Sequence, residues 1–591
     1  MTRDFEGVAI DTQYSFFQHD NNNGVGDLVA ARGFATPDSS ETDGGAIDAN
    51  LTLGTGIGDG KGNATIYLGY RKIDPILQSE RDYSACALGA NAAGFFCSGS
   101  GTTGPGGQFQ PYSPALRPGT AFTVAGPNGE IRPYSSTADA FNFGPYNYYQ
   151  RPDTRYVLGA FAHYDLAPQA QVYTELMFHD DRTVAQIAPS GLFAQLYQTN
   201  CDNPLLSAAQ RAALCTAYGL APDANATLLI GRRNVEGGGR QDDLRHTSYR
   251  GVVGVKGEVA QGWNYDVFGQ YGTVVFANTY LNDFSISRGQ RALQVVNVNG
   301  VPTCKSVVDG TDPNCVPYDI WRTGGVTPEA LEYLQTPGFQ RGDTEQSVMG
   351  ATLAGDLGQY GIRLPTADEG LGVAIGAEYR QESLDLNTDQ AFTTGDLAGQ
   401  GGPTIGVQGS YHVKEYFAEV RAPLVQGRPG LQTLALNASY RYSDYSTGVN
   451  TDSYGAGLEW APVADVRLRG SYQRAVRAPN IRELFAAQGV QLFDLDEDPC
   501  SGTTPPATLA QCQRTGVTPA QYGFIVNNTA GQFNTLAGGN LQLDPEKADT
   551  FSYGIVFTPT FLDGFTASID YFDISLEDQV GVVPPTVSLQ Q

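Results

Sequence analysis

Eight cysteines carry the most informative spacing in this chain. They fall as Cys86/Cys97, Cys201/Cys215, Cys304/Cys315 and Cys500/Cys512, separated by 11, 14, 11 and 12 positions. None of these spacings is the CxxC of a zinc or redox site. Short-range pairs in Gly- and Pro-rich stretches read as four local disulfides, which places the chain in an oxidising, extracytoplasmic compartment. Each would remove about 3 kcal/mol of loop entropy from the unfolded chain. Eight unrelated buried thiols are the weaker alternative. The five histidines (His19, His163, His179, His246, His412) have no metal-ligand spacing, although His163 and His179 fall on neighbouring strand patterns and are expected within reach of each other. A GxGxxG at Gly99, Gly101 and Gly104 follows a cysteine and precedes Pro105, so it lacks the strand–turn–helix setting of a dinucleotide site. Two oxygen-rich runs, Asp20–Asp27 and Asp494–Asp498, are candidate Ca²⁺ loops in composition, with solvated loops as the plainer reading. HExxH, GxSxG and P-loop motifs are absent, and no nucleophile–base pair can be placed. Catalysis has no visible carrier, and no cofactor is expected.

The elements that must hold these residues are strands. In 371–382, Leu371, Val373, Ile375, Ala377 and Tyr379 alternate with Gly372, Ala374, Gly376, Glu378, Arg380 and Glu382, a period of two. The same alternation of apolar residues with small or charged ones recurs at 434–443, 454–460, 551–557 and 565–571. Fifteen strands are expected, near 5–17, 45–54, 62–73, 155–165, 170–182, 245–260, 262–281, 346–358, 371–387, 411–423, 431–446, 451–461, 465–478, 546–559 and 564–577. Connections alternate between mostly short and mostly long, and every cysteine falls in a long one. That is the pattern of an all-β, antiparallel, up-and-down transmembrane barrel with turns on one side and long loops on the other. Tyr70, Tyr164, Trp263, Tyr280, Tyr442, Trp460 and Tyr571 are expected at its interfaces with lipid. Within the long loops, Ala208–Leu214 after Ser207 and Pro328–Leu334 after Thr327 read as short capped helices.

Composition fits this assignment. The 591 residues include 72 Gly, 32 Tyr and 28 Phe, and the longest apolar run is about four residues, such as Val274–Ala277. A membrane helix needs roughly 20. A net charge of −26 argues against nucleic acid as a partner. Of the 36 basic residues only six are Lys, an imbalance with no functional reading at this level.

Two motifs then point to a family. Arg477-Ala478-Pro479-Asn480-Ile481-Arg482-Glu483-Leu484-Phe485 resembles the R-x-P-N-x-x-E-L-F segment of TonB-dependent outer-membrane receptors. Gly539-Asn540-Leu541-Gln542-Leu543-Asp544-Pro545-Glu546-Lys547 resembles the G-N-x-x-L-x-P-E-K that follows it, and Arg3–Gly7 resembles that family's junction between plug and first strand. The resemblance implies about 22 strands, an N-terminal plug, and import of a scarce nutrient (siderophore, carbohydrate or similar) powered by the TonB complex through the plug. It also implies the outer membrane of a Gram-negative bacterium, with its lipid as a partner. Residues 1–591 then read as a partial barrel domain, lacking signal peptide, plug, TonB box and about seven last strands. Glu378, Arg380, Glu382, Arg441, Glu459, Arg467 and Arg469 are expected to line the lumen and substrate path. Tyr146, Tyr148, Tyr149 and Trp321 are candidate ligand contacts in the loops. A passive porin-like or adhesin-like barrel is the alternative, and a barrel-embedded hydrolase using His163 or His179 a third.

Overall fold

The computed structural model describes residues 4–113, 117–527 and 531–590. One antiparallel sheet of fifteen strands dominates it, each strand paired to its neighbour in sequence. In order these are β1 (Gly7–Asp20), β2 (Ser40–Ile57), β3 (Gly62–Ile73), β4 (Asp153–Ala167), β5 (Ala170–Pro189), β6 (Gly239–Ala260), β7 (Trp263–Leu281) and β8 (Gly338–Asp356). They continue as β9 (Gly372–Thr388), β10 (Val407–Arg428), β11 (Leu431–Tyr445), β12 (Asn450–Val463), β13 (Val466–Arg477), β14 (Glu546–Phe557) and β15 (Ala567–Glu577). Among the described residues no hydrogen bonding joins β1 to β15.

All fifteen expected strands are present, but several extend further toward the long loops. β5 continues to Pro189, β6 begins at Gly239 and β8 at Gly338. The added ends of β6 and β8 are largely polar on both faces, and that of β5 carries Val184, Ala185, Ile187 and Ala188 without a consistently apolar face. On the outer face Arg182 bonds Asp243 and Arg245 bonds Asp180. Without an apolar face the period-two signal disappears, although the ladder itself continues.

Lower down, alternation separates the two faces. Ile375 is 51% exposed and Met349 68% on the outer side, whereas Glu415 is 6% and Val413 0% exposed on the inner side. A membrane wall requires this arrangement: apolar side chains face out, and every backbone group is paired within the sheet.

Most long loops fold together. A second sheet of five strands runs in the order Gly191–Asn200, Asn225–Arg233, Gln108–Tyr112, Phe122–Val124 and Ile131–Pro133. Phe109, Leu192, Leu228, Ile230, Phe284 and Trp321 form its core, each fully buried. This is a folded cap with its own hydrophobic centre. Helices Ala208–Leu214 and Pro328–Leu334 form where expected, with Ser207 and Thr327 accepting the N-terminal amide bonds of Gln210 and Ala330.

Candidate functional site

The inner wall carries one continuous polar belt. Arg250 on β6 bonds Glu175 on β5 and Gln270 on β7, both at 3.0 Å. Gln270 donates to Gln346 on β8 at 3.0 Å, and Gln346 to Glu382 on β9 at 3.3 Å. Glu382 also accepts from the Tyr411 hydroxyl on β10 at 2.7 Å and from Arg380 at 2.5 Å. Six adjacent strands are thus linked by side chains as well as backbone. Glu378 lies 4.0 Å from Arg380 on the same face. One strand further, Glu415 accepts from Ser443 at 2.7 Å and from Arg441 at 3.3 Å.

The other proposed lumen residues lie at the short-turn end. Glu459 is opposite Arg469 in register, and Arg469 bridges to Asp570 on β15 at 2.7 Å. That bridge passes over Gly554 on β14, where a Cβ would fall 1.9 Å from the Asp570 carboxylate. Arg467 is two register pairs nearer the turn, on the same face. Asn437, Ser439, Gly455 and Gly457 line, with Glu459 and Arg469, a cavity of about 980 Å³ along this wall. The seven residues therefore occupy two levels: Glu378, Arg380, Glu382 and Arg441 in mid-wall, and Glu459, Arg467 and Arg469 near the turns. Alternation alone identified the face. Glu175, Arg250, Gln270, Gln346, Tyr411 and Glu415 were missed because only the register shows that they meet.

At the other end the cap is locked to the wall through Asp283, which is fully buried. It accepts from the Ser190 hydroxyl, the Phe284 amide at 2.9 Å and the Gly399 amide at 3.0 Å. Arg240 stands beside it and donates to the carbonyls of Ala188 and Gly399 at 2.9 and 3.1 Å. Burial pushes the Asp283 carboxyl above its ordinary value, against the pull of these donors and of Arg240. Three connections, those after β5, β7 and β9, converge on this one carboxylate. Nearby, burial and the neighbouring Arg240 draw Arg233 down to about 9.

The two family-like motifs meet in space. Arg477, the last residue of β13, bonds Glu546 at 2.6 Å and Glu483 through two nitrogens at 3.0 and 3.1 Å. Asn480 caps the short helix Ile481–Phe485 and Glu483 returns the bond to the Asn480 amide, a reciprocal capping box. The Arg477 guanidinium holds the Glu483 carboxyl below its ordinary value. Pro479, Leu484 and Pro545 are buried, and the Phe485 ring lies over Gly409 of β10. The amide of Asn540 donates to Glu483 O at 2.8 Å and that of Gly539 to Ala486 O at 2.7 Å. Residues some sixty positions apart thereby close the mouth of β13 and β14 into one knot, anchoring the long connection between them. Arg3, in the third resembling segment, lies outside the described residues.

Sequence comparison identifies this architecture. Residues 216–591 match the family described as TonB dependent receptor-like, beta-barrel. The chain belongs to the TonB-dependent receptor family. Its receptor barrel is a transport fold of the Gram-negative outer membrane, not an enzyme fold. No curated protein matches the chain. Similar solved structures include a ferric enterobactin receptor mutant from Pseudomonas aeruginosa in complex with enterobactin, at 13% identity and TM-score 0.44, covering 97% of this chain and 55% of that one. The siderophore receptor PirA from Acinetobacter baumannii shows 10% identity and TM-score 0.45 over 98% and 54%. The RagAB peptide transporter shows 9% and 0.46 over 98% and 56%. The chain spans about half the length of these structures.

All eight cysteines of the receptor barrel lie in long connections, joined as Cys86–Cys97, Cys201–Cys215, Cys304–Cys315 and Cys500–Cys512. The second and third are buried in the cap core, and the first packs with Val29 and Ala85.

Other expectations need correction. Trp321 is not a surface contact: it is fully buried, its ring 5.3 Å from Phe109. Tyr280 is not interfacial either, but 2% exposed under the cap beside Phe392. His163 and His179 do not meet. His179 is opposite Val157, six positions along β4 from His163, and His163 pairs with Asp4 at 3.1 Å. The inner-face neighbour of His179 is instead His246, diagonal to it across β5 and β6. Gly99 and Gly104 allow close backbone approach, since a Cβ would fall 2.3 Å from Phe141 O and 2.4 Å from Asp139 O. Of the oxygen-rich runs, the first opens into the helix Val25–Ala31, and in the second Asp498 caps the Cys500 amide at 2.8 Å. Among the described residues no three His, Cys, Asp or Glu side chains converge as a metal site.

Proposed function

We propose that this barrel is the wall of a receptor that actively imports a scarce solute across the outer membrane, driven by TonB through a plug encoded outside these residues. The family match carries the reading. The inner wall supports it, because donors and acceptors run unbroken across six strands. Residues 1–591 act as a partial barrel domain, with Glu378, Arg380, Glu382, Arg441, Glu459, Arg467 and Arg469 along the path. The disulfide-closed connections hold the extracellular mouth in shape.

The test is solute accumulation by cells producing the intact receptor, with and without TonB. Active import requires accumulation that ceases when TonB is deleted or the proton gradient is collapsed. Unchanged flux under both conditions identifies a passive pore and refutes the proposal.

A further inference from the structure

On the turn side most strands are joined by tight turns, but β8 and β9 are joined by residues 357–371. The neck of this connection is pinched shut. The Leu357 amide donates to Leu371 O at 2.9 Å, and a Cβ on Gly370 would fall 2.0 Å from the Gly358 nitrogen. Asp356, at the neck, accepts the Gly358 amide at 2.7 Å and caps the turn Leu357–Tyr360.

From its neck the loop reaches along the rim in both directions. Toward β7, the Tyr360 hydroxyl donates to Gln261 O at 3.1 Å, and the Gln359 amide group lies over Gly262. Toward β10, the Thr366 hydroxyl donates to Leu424 O at 2.5 Å, and Thr366 O accepts the Gln426 amide at 2.9 Å. The Gln426 side-chain oxygen accepts the amides of Asp368 and Glu369 at 2.8 and 2.9 Å, and Arg421 donates to Glu369 at 3.0 Å. Gly262, Asp356 and Arg421, three of the places where the loop is held, also line the turn-end cavity of about 980 Å³.

The hold is slight. Within 357–371 only Ala367 and Gly370 are buried. The Arg421 and Glu369 side chains are 51% and 54% exposed, and an ion pair so open to water contributes little. A loop with a closed neck and few buried contacts opens locally well before the sheet that carries it.

We propose that residues 357–371 are a strap that gates the turn-side end of this cavity. Fastened to β10 through Arg421 and Gln426, it narrows that end; when those bonds release, it swings about its neck and opens it. What passes the strap rests on the transport reading above, but its movement is measurable without a cargo.

All eight cysteines are paired, so Ser439→Cys supplies a reporter thiol inside the cavity. In the intact receptor purified in detergent, its reaction with a maleimide on a long polyethylene glycol is timed against that with a small methanethiosulfonate. Glu369→Gln is expected to speed the bulky reagent about threefold, the scale of an exposed ion pair. Gln426→Ala should speed it about tenfold, since two amides lose their acceptor. Gly370→Ala acts at the neck instead of the latch and should have at least the effect of Gln426→Ala. The small reagent and the amide protection of β11–β13 should stay as in the parent. An unchanged bulky-reagent rate in both Gln426→Ala and Gly370→Ala, or equal acceleration of both reagents, overturns the gate. Loss of the gate with TonB-dependent accumulation intact leaves the transport reading standing; a working gate without such accumulation removes the transport reading alone.

Discussion

Asp283→Ala is the sharpest test of how the cap is held. The substitution removes the acceptor of the Ser190 hydroxyl and of the Phe284 and Gly399 amides, and leaves Arg240 facing an uncharged cavity. Two stranded backbone donors at about 1–3 kcal/mol each, or a broken buried charge pair at about 3–5 kcal/mol, bracket the loss near 4 kcal/mol. At about 1.4 kcal/mol per decade, this raises local opening roughly a thousandfold. Asp283→Asn keeps one acceptor oxygen and should cost about half as much. The carboxyl's raised value adds a pH signature. A group held above its unfolded value contributes most stability when protonated, so its contribution is full below the ordinary aspartate range and declines as pH rises through the raised value. The Asn variant, which does not titrate, should therefore fall further behind the parent on acidification and draw closer to it toward neutrality. Amide hydrogen exchange at Phe284 and Gly399 reads the effect directly, with β11–β13 as the internal reference. Protection at those two amides within about threefold of the parent in Asp283→Ala refutes the lock. Equal loss in β11–β13 refutes its local character.

Four further outcomes are expected. Reducing the disulfides should expose the connections holding Cys86–Cys97 and Cys500–Cys512 to protease before the cap core. Each cross-link is worth about 3 kcal/mol, but the other two are also buried among core side chains. Cleavage in the reverse order would contradict the packing. The motif knot should loosen in acid. Glu483 sits below its ordinary value, so its contribution is present above the unfolded glutamate value and lost as pH falls through the lowered one. Protease nicking within 486–538 should rise over that window, and Glu483→Gln should nick equally at both ends of it. Gly539→Ala should open the same knot at neutral pH by at least about 1 kcal/mol, because the added Cβ would lie 2.6 to 2.7 Å from the backbone of Leu484 and Ala486. Finally, Ile375→Arg on the lipid-facing side should destabilise the folded barrel by about 2–4 kcal/mol, read as a lower unfolding midpoint in denaturant. A midpoint equal to the parent's would place that face away from lipid.

Local chemistry was legible from residue order where it acts over a few positions. The period-two strands of the lower wall, the Ser207 and Thr327 caps and the short-range cysteine pairs all depend on neighbours within about one turn or one hairpin loop. Legibility ended where distant partners decide. The upper strand ends lost their pattern because no one face is consistently apolar, and Trp321 and Tyr280 looked like surface aromatics until the cap core enclosed them. Residues sharing the inner face of a single strand were visible as a face. The belt from Glu175 to Tyr411 was not, since it exists only when six strands are set in register.

By itself, then, the sequence determined that this chain is a wall of alternating strands with oxidised loops, because alternation and loop closure are short-range properties. Tertiary structure alone decided that the loops make one cap, that Asp283 fastens it, and that Arg250, Arg380 and Arg441 of the inner wall each meet a carboxylate. Burial and charge pairing are set by contacts between residues tens to hundreds of positions apart, which spacing along the chain does not encode.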